Sequence, residues 1–155
     1  MSTLEIGDKA PAFSASDDSG AKLSLKDFKG EKFVLYFYPK DDTPGCTKEA
    51  CTFTENLSAF NKLGVKVVGV SKDSVAKHVK FKEKYGLKFP LLSDEDGAIC
   101  EAYGTWIEKS MYGRKYMGID RATFLIDESG KISAVWRKVK VPGHIEEIIK
   151  TLKAA

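Results

Sequence analysis

Cysteine is scarce and odd in number: Cys46, Cys51 and Cys100 are the three in 155 residues. That is too few for a small domain stapled by disulfides, so a cysteine that matters here is reactive or metal-bound rather than a covalent staple. Histidine is scarcer. His78 and His144 stand far apart, and no pair of Cys or His residues shows zinc-ligand spacing, so neither a metal nor another cofactor is expected. Net charge is nearly absent too. The 25 basic and 22 acidic residues leave +3, dispersed along the chain, which argues against nucleic acid as a partner. The basic run Lys77 to Lys84 is interleaved with Val79 and flanked by Val75 and Tyr85, as in a helix with one solvated face. No apolar run approaches a membrane span, the longest being Phe33 to Tyr38, and Met1 to Phe13 has no basic stretch followed by an apolar one of signal length. A soluble, cytoplasmic protein with no membrane partner is expected.

What is present points to one α/β domain over residues 1–155. The chain is long enough for one core and short for two, and it has no repeat, low-complexity tract or linker. Strands are predicted at Lys22 to Leu25, Phe33 to Tyr38, Val65 to Ser71, Phe89 to Leu92, Ala122 to Asp127 and Lys131 to Trp136. The second and third are nearly unbroken apolar runs, as expected of a central parallel pair buried on both faces. Between them Ala50, Phe53, Leu57 and Phe60 recur at helical spacing and Gly64 ends the pattern, which predicts one helix of about four turns and a β-α-β crossover. Further helices are predicted at Ser74 to Tyr85, Ala98 to Tyr103 and His144 to Leu152.

The start of the first long helix carries the most specific chemistry. In Pro39-Lys-Asp-Asp-Thr-Pro-Gly-Cys46, Thr43 suits the N-cap and Pro44 the first helical position, where a missing N–H costs nothing. Cys46 then falls at N3, where free amides and the helix dipole favour an anion and hence a thiolate. It precedes Ala50 by four residues and should face the sheet at the carboxyl end of a strand, where a pocket is expected. Local chemistry leaves a second reading open, a small buried cysteine with no reactivity. Cys51 follows after five positions, which is not the C-x-x-C spacing of a thioredoxin-type dithiol. In an intact helix such residues lie about 140° apart around the axis and roughly 8 to 9 Å apart between Cα atoms, whereas a disulfide needs them closer than about 7 Å. A bond between them requires the first turns to unwind, and the helix end at Gly45 is the least costly part to open. An inert, partly buried Cys51 remains the alternative.

Pro39, Thr43 and Cys46 match the P-x-x-x-T-x-x-C motif of the peroxiredoxins, and the run from Tyr38 to Cys51 closely resembles the bacterioferritin comigratory protein, or peroxiredoxin Q, subfamily. The likeness extends to Gly7 to Phe13, Leu91 to Asp94, Tyr103 to Trp106 and Arg121 to Asp127, and so spans essentially the whole chain. It implies a thioredoxin-like α/β fold with a central mixed β-sheet flanked by helices. It also implies that Cys46 reduces hydrogen peroxide or an organic hydroperoxide and becomes a sulfenic acid. Cys51 would then resolve it to an intramolecular disulfide, reduced in turn by thioredoxin or glutaredoxin, in a protein that is a monomer. By the same resemblance Thr43 and Arg121 flank the sulfur and the peroxide oxygens while Pro39 shields them from water. A nearby cation favours the thiolate, and preorganised donors stabilise charge on the departing oxygen. Glu49, one turn after Cys46, either anchors Arg121 or is a solvated helix carboxylate. One subfamily variant carries its resolving cysteine where this chain has Phe81 and Lys82, so that arrangement does not apply. Cys100 has apolar neighbours and no activating group near it in sequence. The rival functions, a thiol-disulfide oxidoreductase and a peroxide-triggered redox sensor, would use Cys46 as well; disulfide exchange does not need the Thr43 and Arg121 pair, and a sensor reacts once where a peroxidase turns over.

Overall fold

The computed structural model describes residues 4–154, so residues 1–3 and 155 of the expected domain lie outside the described residues. In chain order the elements are β1 (Ser14–Ser16), β2 (Lys22–Ser24), a 3-10 turn (Leu25–Phe28), β3 (Lys32–Phe37), α1 (Pro44–Glu55), α2 (Leu57–Lys62), β4 (Val65–Ser71), α3 (Val75–Tyr85), β5 (Leu91–Ser93), α4 (Ala98–Ala102), β6 (Trp106–Met111), β7 (Arg114–Ile119), β8 (Ala122–Ile126), β9 (Ile132–Trp136) and α5 (His144–Ala154). A five-stranded mixed sheet in the order β5-β4-β3-β8-β9 forms the centre. The β3, β4 and β5 strands run parallel, while β8 and β9 are antiparallel to their neighbours. This is the thioredoxin-like α/β arrangement.

The two apolar runs pair as read from the sequence, with Val34 opposite Val67 and Phe37 opposite Val70. Both faces of β3 are covered, so Phe33 through Phe37 are all buried. On one face Phe33, Leu35 and Phe37 pack with Phe124 and Tyr103; on the other Val34 and Tyr36 pack with Phe53, Phe60 and Phe89. Tyr36 stacks on Phe53 at 4.5 Å between ring centroids, which fastens α1 to the sheet. Gly69 makes room for that stack. A Cβ there would stand 3.0 Å from the Tyr36 ring and 3.1 Å from Leu91, both fully buried and unable to yield.

Two expectations change. The four-turn helix is two helices, α1 and α2, because the Asn56 side chain donates to the Thr52 carbonyl and the Asn56 backbone leaves helical geometry (φ −103°, ψ 8°). Two hairpins join the sheet scaffold: β1 pairs with the predicted β2, and β6 pairs with β7 around a Tyr112-Gly113 turn in which both residues have positive φ.

Candidate active site

Sheet register builds the site. Ala122 pairs with Phe37, so Arg121, at the entry to β8, lies beside the carboxyl end of β3, where the chain turns towards α1. Thr43 is the N-cap, extended at φ −106° and ψ 154°, its carbonyl accepting the Thr47 N–H at 2.8 Å; Pro44 opens the helix, and Cys46 follows as the third helical residue. The Thr43 hydroxyl makes no cap bond and instead donates to the Lys40 carbonyl at 2.8 Å. Its donor is spent within the loop, and its oxygen keeps lone pairs for an incoming donor.

Cys46 is 2% exposed and packs with Ala50 and Phe53 against the strand layer. Arg121 reaches it from the β8 side. One guanidinium nitrogen donates to Cys46 Sγ at 3.3 Å, and the other donates to Glu49 Oε1 at 2.7 Å. Gly45 admits this approach, since a Cβ there would meet Arg121 Nη2 at 3.2 Å. Glu49 is therefore no solvated helix carboxylate: it is fully buried, and its second oxygen has no protein partner. Burial pushes its carboxyl up to about 7, against the pull of Arg121. Pro39 is exposed at the head of the loop. Cys51 is partly buried, with burial first and then the Glu55 charge raising its thiol. Cys46 and Cys51 are free thiols separated by unbroken α1 helix. Cys100 is fully buried in α4, and burial followed by a hydrogen bond with Asp94 pushes its thiol far up, which makes it unreactive.

The raised Glu49 carboxyl has a sign that can be tested. In the folded chain Glu49 holds its proton to about pH 7, whereas in the unfolded chain it releases it near the ordinary 4.5. The stability this supplies is complete below 4.5 and is lost as pH rises through 7. Thermal unfolding of the reduced protein should lose up to roughly 3 kcal/mol across that window, and Glu49→Gln should flatten the decline. An unchanged slope in the variant would remove Glu49 as its source.

A second group of polar residues lies beneath the same loop, and sequence reading does not reveal it. His78 of α3 is fully buried, with Nδ1 2.6 Å from Asp41 Oδ2 and Nε2 2.9 Å from the Leu92 carbonyl. Tyr38 donates to the other Asp41 oxygen at 2.6 Å, and the Asp41 N–H donates to Asp73 at 2.8 Å. Asp42, at a positive φ of 57°, accepts from Tyr85 and Lys84 of α3. Asp41, Asp73 and His78 bring possible ligand atoms within 4.8 Å of one another. Both ring nitrogens are nonetheless taken, one by a carbonyl that only accepts, so the trio is a hydrogen-bonded network and not a ligand set. His78 lies 37 residues from its partner, with no motif joining them.

The sequence profile of the AhpC/TSA family matches residues 6–135. A putative Bcp peroxiredoxin of Coxiella burnetii is 58% identical over 150 residues, which cover 97% of this chain and 99% of the relative. The Bacillus subtilis peroxiredoxin Bcp is 50% identical over 151 residues, covering 97% and 96%. Among solved structures, a PrxQ variant from Xylella fastidiosa superimposes with a TM-score of 0.94 at 41% identity, covering 99% of this chain and 98% of the other. The bacterioferritin comigratory protein of Xanthomonas campestris gives 0.90 at 43% identity, with 99% and 98% covered. No helix among the described residues is long and apolar enough to cross a membrane. With a cysteine at a helix start beneath an arginine, and relatives of this identity along its whole length, the chain belongs to the AhpC/TSA family, among its Bcp peroxiredoxins, and is a thiol peroxidase.

Proposed function

We propose that Cys46 is the peroxidatic cysteine and Cys51 its resolving partner, in a chain that acts as one domain. The observation that carries this reading is the Arg121 donor 3.3 Å from Cys46 Sγ, with Glu49 holding the other arm of the guanidinium. The Cys46 thiolate attacks the terminal oxygen of hydrogen peroxide or an organic hydroperoxide. As the O–O bond breaks, Arg121 stabilises charge on the departing oxygen, which leaves as water or an alcohol after taking a proton, while the Thr43 oxygen, its own hydrogen given to Lys40, accepts from the peroxide O–H and orients it. Pro39 limits water at the mouth of the loop. Cys46 is left as a sulfenic acid; the Cys51 thiolate attacks its sulfur, water leaves, and a disulfide forms. A dithiol protein, thioredoxin or glutaredoxin, then reduces that disulfide. Organic hydroperoxides are included because the Xanthomonas relative is described by its alkyl peroxide reduction activity. Three free thiols suit the reducing cytoplasm, and the chain acts as a monomer.

The test is one equivalent of hydrogen peroxide on the reduced protein, followed by thiol blocking and tryptic mass spectrometry. Lys48 separates the two cysteines, so a bond between them joins peptides 41–48 and 49–62. Linked peptides within seconds, with Cys100 alkylated, are expected. Over-oxidised Cys46 alone would remove Cys51 as resolver, and three intact thiols would overturn the assignment.

A further inference from the structure

The two chemical steps make opposite demands on residues 39–46. Peroxide must find Cys46 held beneath Arg121, whereas the disulfide needs the first turns of α1 unwound, since an intact helix keeps i and i+5 too far apart. Whatever fastens the loop to the rest of the protein therefore sets the balance between the steps. That fastening is on α3. His78 enters from beneath, fully buried, and grips Asp41, while Tyr85 and Lys84 grip Asp42 from the exposed end of the same helix. Asp41 is the more firmly held, because Tyr38 and His78 occupy both its oxygens and its N–H is given to Asp73, itself fixed by Ser71 at 2.7 Å.

We propose that His78 is a positioning residue of the peroxidatic site: through Asp41 it latches the loop that delivers Cys46 to Arg121, and its release favours the unwound state that reaches Cys51. The proposal rests on the cysteine assignments above. The Leu92 carbonyl can only accept, so Nε2 carries a hydrogen. Opposite a carboxylate that already accepts from Tyr38, Nδ1 donates as well, and the latch is an imidazolium held by a carboxylate in a site closed to water.

The latch responds to pH. Burial alone would push the His78 pKa down, but the hydrogen bond and charge of Asp41, the Leu92 carbonyl and the Asp73 charge outweigh it and raise it. The groups facing the ring are Tyr38 just after β3, Asp41 from the loop, Asp73 after β4 and the Leu92 carbonyl of β5. Because the folded value exceeds the unfolded one, the latch is fully set below the ordinary 6.5 and weakens as pH rises through the elevated folded value.

Hydrogen exchange of the reduced protein tests this without requiring turnover. In His78→Leu, protection of amides in residues 39–50 should fall about tenfold or more, with the central strands unchanged. His78→Asn should recover part of the loss, since its amide can still donate to Asp41. In the parent protein, protection of this segment, corrected for intrinsic exchange, should decline as pH rises above neutrality; His78→Leu should reduce that decline to the share supplied by Glu49 in the same segment. After a single oxidation the variant should form the disulfide faster and leave less Cys46 over-oxidised by excess peroxide. Unchanged protection of 39–50, an equal loss throughout the protein, or a flat pH profile in the parent would each overturn the proposal. If His78→Leu does not fold, the asparagine variant and the parent pH profile still decide it. Failure of any disulfide to form would instead overturn the assignment of Cys51, leaving the exchange result to judge His78.

Discussion

Arg121→Gln should slow the oxidation of Cys46 by peroxide about 100- to 1,000-fold, the usual cost of removing a preorganised donor from a developing anion. The guanidinium is the cationic donor bonded to the sulfur, at 3.3 Å, and its side chain is only 16% exposed, so water cannot take its place. A neutral amide keeps some hydrogen bonding and loses the charge. Arg121→Lys should fall between the two, because an ammonium cannot bond Glu49 and reach Sγ with the same fixed fork. The exchange also strands Glu49, which is fully buried with one oxygen already unpartnered. Removing one member of a buried pair commonly costs about 3 to 5 kcal/mol. Here the loss should be smaller in acid, where Glu49 is protonated, and larger above pH 7. Adding Glu49→Gln to Arg121→Gln should restore much of the stability and none of the rate. Stopped-flow oxidation and thermal unfolding separate these effects. A rate loss below about threefold would remove Arg121 from the reaction.

Cys46 is legible in the chain because helix-start chemistry is local. Thr43, Pro44 and the apolar stripe from Ala50 suffice to place it at the third helical position facing the sheet, and the structure puts it there. The central strands are legible for a similar reason, since only a strand covered on both faces is apolar at every position from Phe33 to Phe37. The β6-β7 hairpin is not. Met111, Tyr112, Tyr116 and Met117 are exposed, so no buried face imposes an alternating pattern, and its turn places a tyrosine at a positive φ where Asn or Asp would signal it. The break at Asn56 is hidden because the apolar stripe continues from Phe53 to Leu57 and Phe60 across it. The contact between Arg121 and Glu49 spans 72 residues and depends on the antiparallel register of β8 on β3, so the sequence offers Glu49 as an anchor beside a solvated alternative and the fold decides between the two. His78 and Asp41 carry no such motif, and their charges meet only because α3 packs beneath the loop.

With Cys51 replaced by Ser, a single oxidation of Cys46 should proceed within about twofold of the parent rate, because the groups bonded to its sulfur and to Arg121 do not include Cys51. Turnover with a dithiol reductant should fall more than about 100-fold, since the sulfenic acid then has no intramolecular thiol to condense with and is open to further oxidation to the sulfinic acid. Cys100 cannot substitute, being buried with its thiol pushed far up. The Cys51 thiol is itself raised, by burial and then by Glu55 one turn along α1, so the disulfide step in the parent should accelerate as pH climbs towards and past the ordinary 9.0. Glu55→Gln should bring that rise to lower pH without touching the first step. These steps separate by quenching at increasing times and weighing the protein: loss of two hydrogens marks the disulfide, and gain of one or two oxygens marks the sulfenic and sulfinic acids. If the Cys51→Ser protein turns over at the parent rate with the dithiol reductant, an external thiol resolves Cys46 directly. The unwinding of α1 would then have no part in the cycle.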